Sequence, residues 1–192
     1  MRLSLRRAFG DDAFRIADIY APYVKNTTVS FEYAPPDAAE MRARFLRISA
    51  EFPFLVCEAD GEVAGYAYAD RPFEREAYRW CAELSVYVDG KFCRRGIGGR
   101  LVGAVEEICR RLGYRKMYAL VTGENENSLA FHGALGYSVS ARFRGQGYKF
   151  GRTLDVYWLE KELGGDGVYT RFPRPASALS DEEWRTICGR EE

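Results

Sequence analysis

The sequence predicts a mixed α/β fold, a sheet with helices on both of its faces. Three observations carry that prediction. Strand-like runs alternate with runs of helical spacing, an Asp-Gly step joins two apolar runs as a hairpin, and a glycine-rich turn leads from a strand into the longest amphipathic helix. A chain of 192 residues lies within the size of one domain and can bury roughly two thirds of the surface its unfolded form exposes, so one core is expected.

Taken in order, Leu3 to Arg7 reads as a short strand. Asp11 or Asp12 can cap a helix whose apolar positions Phe14, Ile16, Ala17, Ile19, Tyr20 and Tyr23 mostly follow helical spacing, ended by Asn26, Thr27 and Thr28. Val29 to Pro36 reads as extended or irregular. Asp37 opens a second helix with Met41, Phe45, Leu46 and Ile48 as its buried face, closed by Phe52 and Pro53. Phe54 to Glu58 and Val63 to Ala69 form the hairpin, because Asp60-Gly61 supplies the positive φ angles of a tight turn. In the strand Trp80 to Val88, alternation puts Trp80, Ala82, Leu84, Val86 and Val88 on one face and Cys81, Glu83, Ser85 and Tyr87 on the other.

Ile97 to Leu112 is the long helix, and Gly113 is its stop. Lys116 to Thr122 is a strand and Ser128 to Leu135 a short helix. Tyr137 to Phe143 and Leu154 to Glu160 are two further strands, joined through the glycine-rich Gly145 to Gly151. The expected division is a domain over residues 1–163 and a tail over 164–192. The tail is rich in Pro, Gly and Arg, with a short helix over Leu179 to Ile187 capped by Ser180 and docked by Trp184 and Ile187.

Composition excludes several classes. The 28 basic and 28 acidic side chains cancel, which removes the electrostatic reason to expect nucleic acid or an anionic membrane as partner. No run approaches the ~20 apolar residues of a membrane span. Cys57, Cys81, Cys93, Cys109 and Cys188 contain no C-x-x-C pair, and a reducing, cytoplasmic setting is the simplest expectation. With His132 as the one histidine, a centre built on several imidazoles is excluded, and no metal is expected.

Cys93, Arg94, Arg95, Gly96, Ile97, Gly98 and Gly99 stand between a strand and a helix. Such a turn lets backbone N–H groups approach an anion, with the helix dipole adding attraction for phosphate. It has neither a Walker ending nor the three-glycine Rossmann spacing. In isolation, the glycines could merely make a tight turn.

Arg94 to Gly98 resembles the pyrophosphate loop of the GNAT superfamily of acyl-CoA N-acyltransferases. Thr28-Val29-Ser30-Phe31-Glu32, Asp60 to Ala69, Ala77 to Val88, Ser128 to Tyr137, and Gly147 to Arg152 with Leu154 to Val156 are similar to its phosphinothricin and methionine sulfoximine acetyltransferase branch. The resemblance runs from about Phe9 to Leu163. It implies a central, mostly antiparallel sheet, acetyl-CoA as cosubstrate, a small amino-acid-like amine as acceptor, and a homodimer. Cys93 departs from the Gln or Arg that usually begins the loop, and Thr153 from a frequent Trp.

The same resemblance assigns roles. Glu83 is the candidate base, and His132 stands where relatives protonate the departing thiolate. Val86, Tyr87, Val88 and Asn125 would hold the pantetheine arm, and Arg94, Arg95, Gly96, Ile97, Gly98 and Gly99 the diphosphate. Phe31, Arg75, Tyr78, Glu83, Lys149 and Phe150 would form the acceptor pocket. The residues alone leave other readings open: a solvated strand face for Glu83, a packing role for His132, turn chemistry for Asn125 and a solvated Arg75. Two other functions also stay open, acetylation of a polyamine, aminoglycoside or protein N-terminus, and a non-catalytic acyl-CoA sensor.

Overall fold

The computed structural model describes residues 1–164 and 171–189. Among them are the strands β1 (Leu3–Arg7), β2 (Phe54–Ala59), β3 (Glu62–Asp70), β4 (Cys81–Val88), β5 (Lys116–Thr122), β6 (Ser138–Lys149) and β7 (Arg152–Glu162). They form a single sheet in the order β1-β2-β3-β4-β5-β7-β6. β4 and β5 run parallel, and the other neighbouring pairs are antiparallel. The helices are α1 (Ala13–Asn26), α2 (Ala38–Ser49), α3 (Ile97–Leu112), α4 (Glu126–Ala134) and α5 (Asp181–Cys188).

Residues 65 and 66 locate the two layers, because successive strand residues point to opposite faces. Tyr66 stacks on Tyr87 at 5.3 Å, and Tyr87 meets Tyr20 of α1 edge-on at 4.9 Å. Gly65 faces the other way, where a Cβ would stand 2.9 Å from the Tyr87 carbonyl oxygen and 3.2 Å from Ile97 Cγ2 of α3. Glycine there lets α3 lie directly on the sheet. α3 itself begins after Gly96 at φ 80° and stops at Gly113 at φ 102°, whose N–H reaches the Cys109 and Arg110 carbonyls. Both turns need the left-handed region that glycine enters freely.

Several expectations change in detail. Phe14 and Leu46 remain 67% and 57% exposed; each lies off the stripe set by Ile16, Ile19 and Tyr20 or by Met41, Phe45 and Ile48. Asp12 makes no side-chain cap for α1 and instead accepts the Phe9 N–H at 2.7 Å. The Asp60-Gly61 turn is as expected, at φ 51° and 86°.

The largest difference is the β6–β7 hairpin. Pairing continues through Gly147↔Leu154, Tyr148↔Thr153 and Lys149↔Arg152, so the turn is confined to Phe150 and Gly151, at φ 52° and 77°. The other glycines serve a register shift between Phe143 and Gly147 and a close approach of Phe31, whose ring would overlap any Cβ on Gly147. Composition suggested a loop because bulges and ring contacts also select glycine.

Downstream, Ser180 and Glu183 cap α5 reciprocally, and Trp184 and Ile187 are buried against the core. Arg7 lies over the Trp184 ring at 4.6 Å. Ala176 N–H donates to the Glu51 carbonyl at 2.7 Å, and Arg174 N–H to that of Leu112 at 2.9 Å. Trp80, expected in a strand, precedes β4; its Nε1 donates to the Arg171 carbonyl and its ring meets Phe172 at 4.8 Å. Part of the expected tail, 165–170 and 190–192, lies outside the described residues.

Candidate active site

β4 and β5 pair only through Cys81↔Lys116, Ala82↔Met117 and Glu83↔Tyr118, whereas β4 stays paired to β3 as far as Gly65↔Val88. Beyond Glu83 the two parallel strands splay. A cleft of about 130 Å³ opens between them, lined by Val29, Glu83, Leu84, Ser85, Val86, Tyr87, Ala119 to Thr122, Asn125, Ser128 and His132. The β5-facing edge of β4 therefore presents backbone groups that no strand satisfies, and such groups demand a partner. The Thr122 hydroxyl beside them is buried without a hydrogen-bond partner among the described residues. Both observations fit an amide-bearing chain lying in the cleft.

Glu83 sits where the strands part. Partial burial, with Asp70 directly opposite on β3, pushes its carboxyl up to about 7. It is thus poised to exchange a proton near neutrality.

His132 is 4% exposed, and burial lowers its pKa. Its Nδ1 lies 2.8 Å from the Ser128 carbonyl oxygen, which can only accept. Nδ1 then carries the ring proton and Nε2 has none to give. In the neutral ring Nε2 is an acceptor, and the expected role as thiolate acid requires that it first gain a proton there. Asn125 caps α4, its Oδ1 accepting the Ser128 N–H at 3.2 Å.

At the entrance to α3, the first intrahelical bond runs from Arg100 N–H to the Gly96 carbonyl. The amides of Ile97, Gly98 and Gly99 precede it and form an anion-binding terminus. A Cβ at Gly96 or Gly99 would meet nothing within 4 Å, so approach is open there. At Gly98 it would stand 3.3 Å from Phe131 Cζ, so this glycine also serves α3–α4 packing. Arg94 and Arg95 are exposed, and the Cys93 thiol turns to the Asp89 carbonyl at 3.6 Å.

The acceptor residues divide. Arg75 and Tyr78 lie in the exposed segment just before β4, with Tyr78 held 4.7 Å from the Phe73 ring. Phe31 rests against Gly147, and Phe150 is exposed at the hairpin tip. None of these four lines the cleft. Lys149 requires a correction. It is 2% exposed, and its ammonium donates to the carbonyls of Val24, Thr27 and Ser30 at 2.7, 2.9 and 2.6 Å. All three N–H groups are used, leaving none for a substrate.

Sequence reasoning missed Val29, Ser85, Thr122 and Ser128. Ser85 was within reach as the next residue on Glu83's face, and Ser128 as the residue one helical turn before His132.

An opened sheet with unpaired strand backbone on one side and helix amides on the other suits a long acyl donor that carries both amides and a diphosphate. The class this defines is an acyltransferase. A family model described as an acetyltransferase (GNAT) domain matches residues 5–158, and the chain belongs to the GNAT acetyltransferase family. It is 38% identical to a phosphinothricin N-acetyltransferase of Alcaligenes faecalis, over 80% of this chain and 79% of that one. It is also 38% identical to an L-methionine sulfoximine/L-methionine sulfone acetyltransferase of Pseudomonas paraeruginosa, over 85% and 96%. A crystal structure of a phosphinothricin acetyltransferase from Sinorhizobium meliloti in complex with acetyl-CoA superposes with a TM-score of 0.82 at 35% identity, covering 88% of this chain and 97% of that one.

Proposed function

We propose that the chain transfers the acetyl group of acetyl-CoA to the α-amine of a small amino-acid-like substrate of the phosphinothricin, methionine sulfoximine or methionine sulfone type, with Glu83 as base. The carrying observation is a carboxyl with a pKa near 7 where β4 and β5 part. In this reading the pantetheine arm pairs with the free edge of Val86 to Val88 and lies past Asn125 and Thr122. The α3 amides, with Arg94 and Arg95, take the diphosphate. Arg75, Tyr78, Phe31 and Phe150 receive the amino acid from the open side, with Arg75 suited to a carboxylate or phosphinate.

Glu83 removes one proton from the substrate ammonium. The neutral amine attacks the thioester carbonyl, and the nitrogen of the tetrahedral adduct becomes cationic. As the C–S bond breaks, that nitrogen's remaining extra proton passes to the sulfur. The sequence balances without a separate acid, consistent with a proton-free Nε2 on His132.

The same proposal includes a homodimer, a cytoplasmic setting without nucleic-acid or membrane partners, and a catalytic unit over 1–163 with 164–192 appended. Support for the dimer is β6, a long edge strand exposing Val139, Phe143 and Tyr148, the kind of edge that proteins usually cover.

Thiol release from acetyl-CoA across phosphinothricin, methionine sulfoximine, free amino acids, peptides, polyamines and aminoglycosides tests the reading. Turnover is expected with the first three. Response to only the others overturns the acceptor class, and acetyl-CoA binding with no thiol release from any amine indicates a sensor. Glu83→Gln is expected to lower kcat by about 10² to 10⁴ with the acetyl-CoA Kd nearly unchanged, and to recover partly at high pH. Near wild-type kcat at neutral pH would remove Glu83 from the mechanism.

A further inference from the structure

We propose that Asp70 is a positioning residue that acts on the reaction through Glu83, and that Arg47 sets how much of its charge Glu83 feels. The inference rests on Glu83 as base and adds a second carboxylate and its counterion. Asp70 and Glu83 are register partners on antiparallel β3 and β4, an opposition of like charges that costs stability. The Asp70 carboxylate is fixed, not free to swing away. Arg47 of α2 grips it with both guanidinium ends, Nη1 to Oδ1 at 3.2 Å and Nη2 to Oδ2 at 2.8 Å, and Arg71 N–H donates to Oδ1 at 2.8 Å.

On the same face, Glu32 of the α1–α2 connection and Arg44 of α2 are paired with each other, and Asp70 is the charge that acts on Glu83. Tyr68 of β3 is a buried phenol whose hydroxyl bonds Ser85. Tyr118 of β5 and Cys81 of β4 are a phenol and a thiol raised by burial, and burial lowers the pKa of His132 of α4. The α1–α2 connection contributes Val29 to the cleft, and Lys116 of β5 is engaged by Glu160 and Glu162. Asp70 is thus the fixed anion facing Glu83 among the described residues. Its field disfavours the Glu83 carboxylate and so strengthens it as a base, while Arg47 attenuates that field.

The two side chains must therefore act with opposite sign, and no purely structural role does so. Asp70→Asn keeps the size and one oxygen for Arg47; Arg47→Gln leaves Asp70 uncompensated. The measurement is the pH dependence of kcat/KM, together with a carbon NMR titration of the Glu83 carboxyl in the same variants. Asp70→Asn is expected to shift both midpoints down by about 0.5 to 1 pH unit, and Arg47→Gln to shift them up by a few tenths. Shifts in the same direction, or none in folded Asp70→Asn, overturn the proposal while leaving Glu83 as base. A kinetic limb near pH 7 that survives in Glu83→Gln, as distinct from the rise at high pH that the substrate amine itself produces, overturns both.

Discussion

Glu83 shows how a carboxyl with a raised pKa weighs on the fold. Its carboxyl titrates near 7 in the folded chain against 4.5 for an ordinary glutamate. Between those values the folded state binds more protons than the unfolded one, so the Glu83 contribution to stability falls as pH rises from about 4.5 to 7 and stays low above. Glu83→Gln removes the penalty and is expected to melt about 7 °C above wild type at pH 8, with the difference gone near pH 4; calorimetric melts at the two pH values check this. An acid within a strand pattern is visible in sequence. What raises its pKa is not: burial, the larger cause, depends on how the sheet packs, and Asp70 lies 13 positions upstream, set opposite only by strand register.

At the scale of elements, periodicity located most of the fold. α3 and β5 have the bounds that the apolar spacing indicated, and the Asp60-Gly61 turn follows from its own chemistry. Both strands of the β6–β7 hairpin were legible but their extension to residues 149 and 152 was not, since its glycines answer to Phe31 and to a bulge, contacts that composition cannot distinguish from a loop. Lys149 was misread for a similar reason: its partners lie more than a hundred residues away, around the C-terminal end of α1. There it ties the hairpin to α1 and to the connection that follows. Lys149→Met would leave three inward carbonyls without a donor and is expected to cost about 3 to 5 kcal/mol in urea unfolding. A loss below about 1 kcal/mol would show that water replaces the ammonium.

Across the whole molecule, the segment after residue 170 adds to the core that the strands and α3 build. Trp184 and Ile187 cover α3 and β1, and Phe172 covers Trp80 just ahead of β4. Trp184→Ala is expected to cost about 3 to 5 kcal/mol and to lower Tm by about 10 °C, while leaving the acetyl-CoA Kd within about twofold. A parallel loss of affinity in calorimetric titration would mean that the helix shapes the cleft as well as the core. The splay between β4 and β5 has a mechanical consequence. The sheet is two plates, β1 to β4 and β5 to β7 with β6, stitched by a seam of three register pairs that ends at Glu83. A chain threaded into the gap would act as a missing strand and lock the plates. Since the seam ends at Glu83, flexing of the plates displaces the far end of the cleft most and the Glu83 end least.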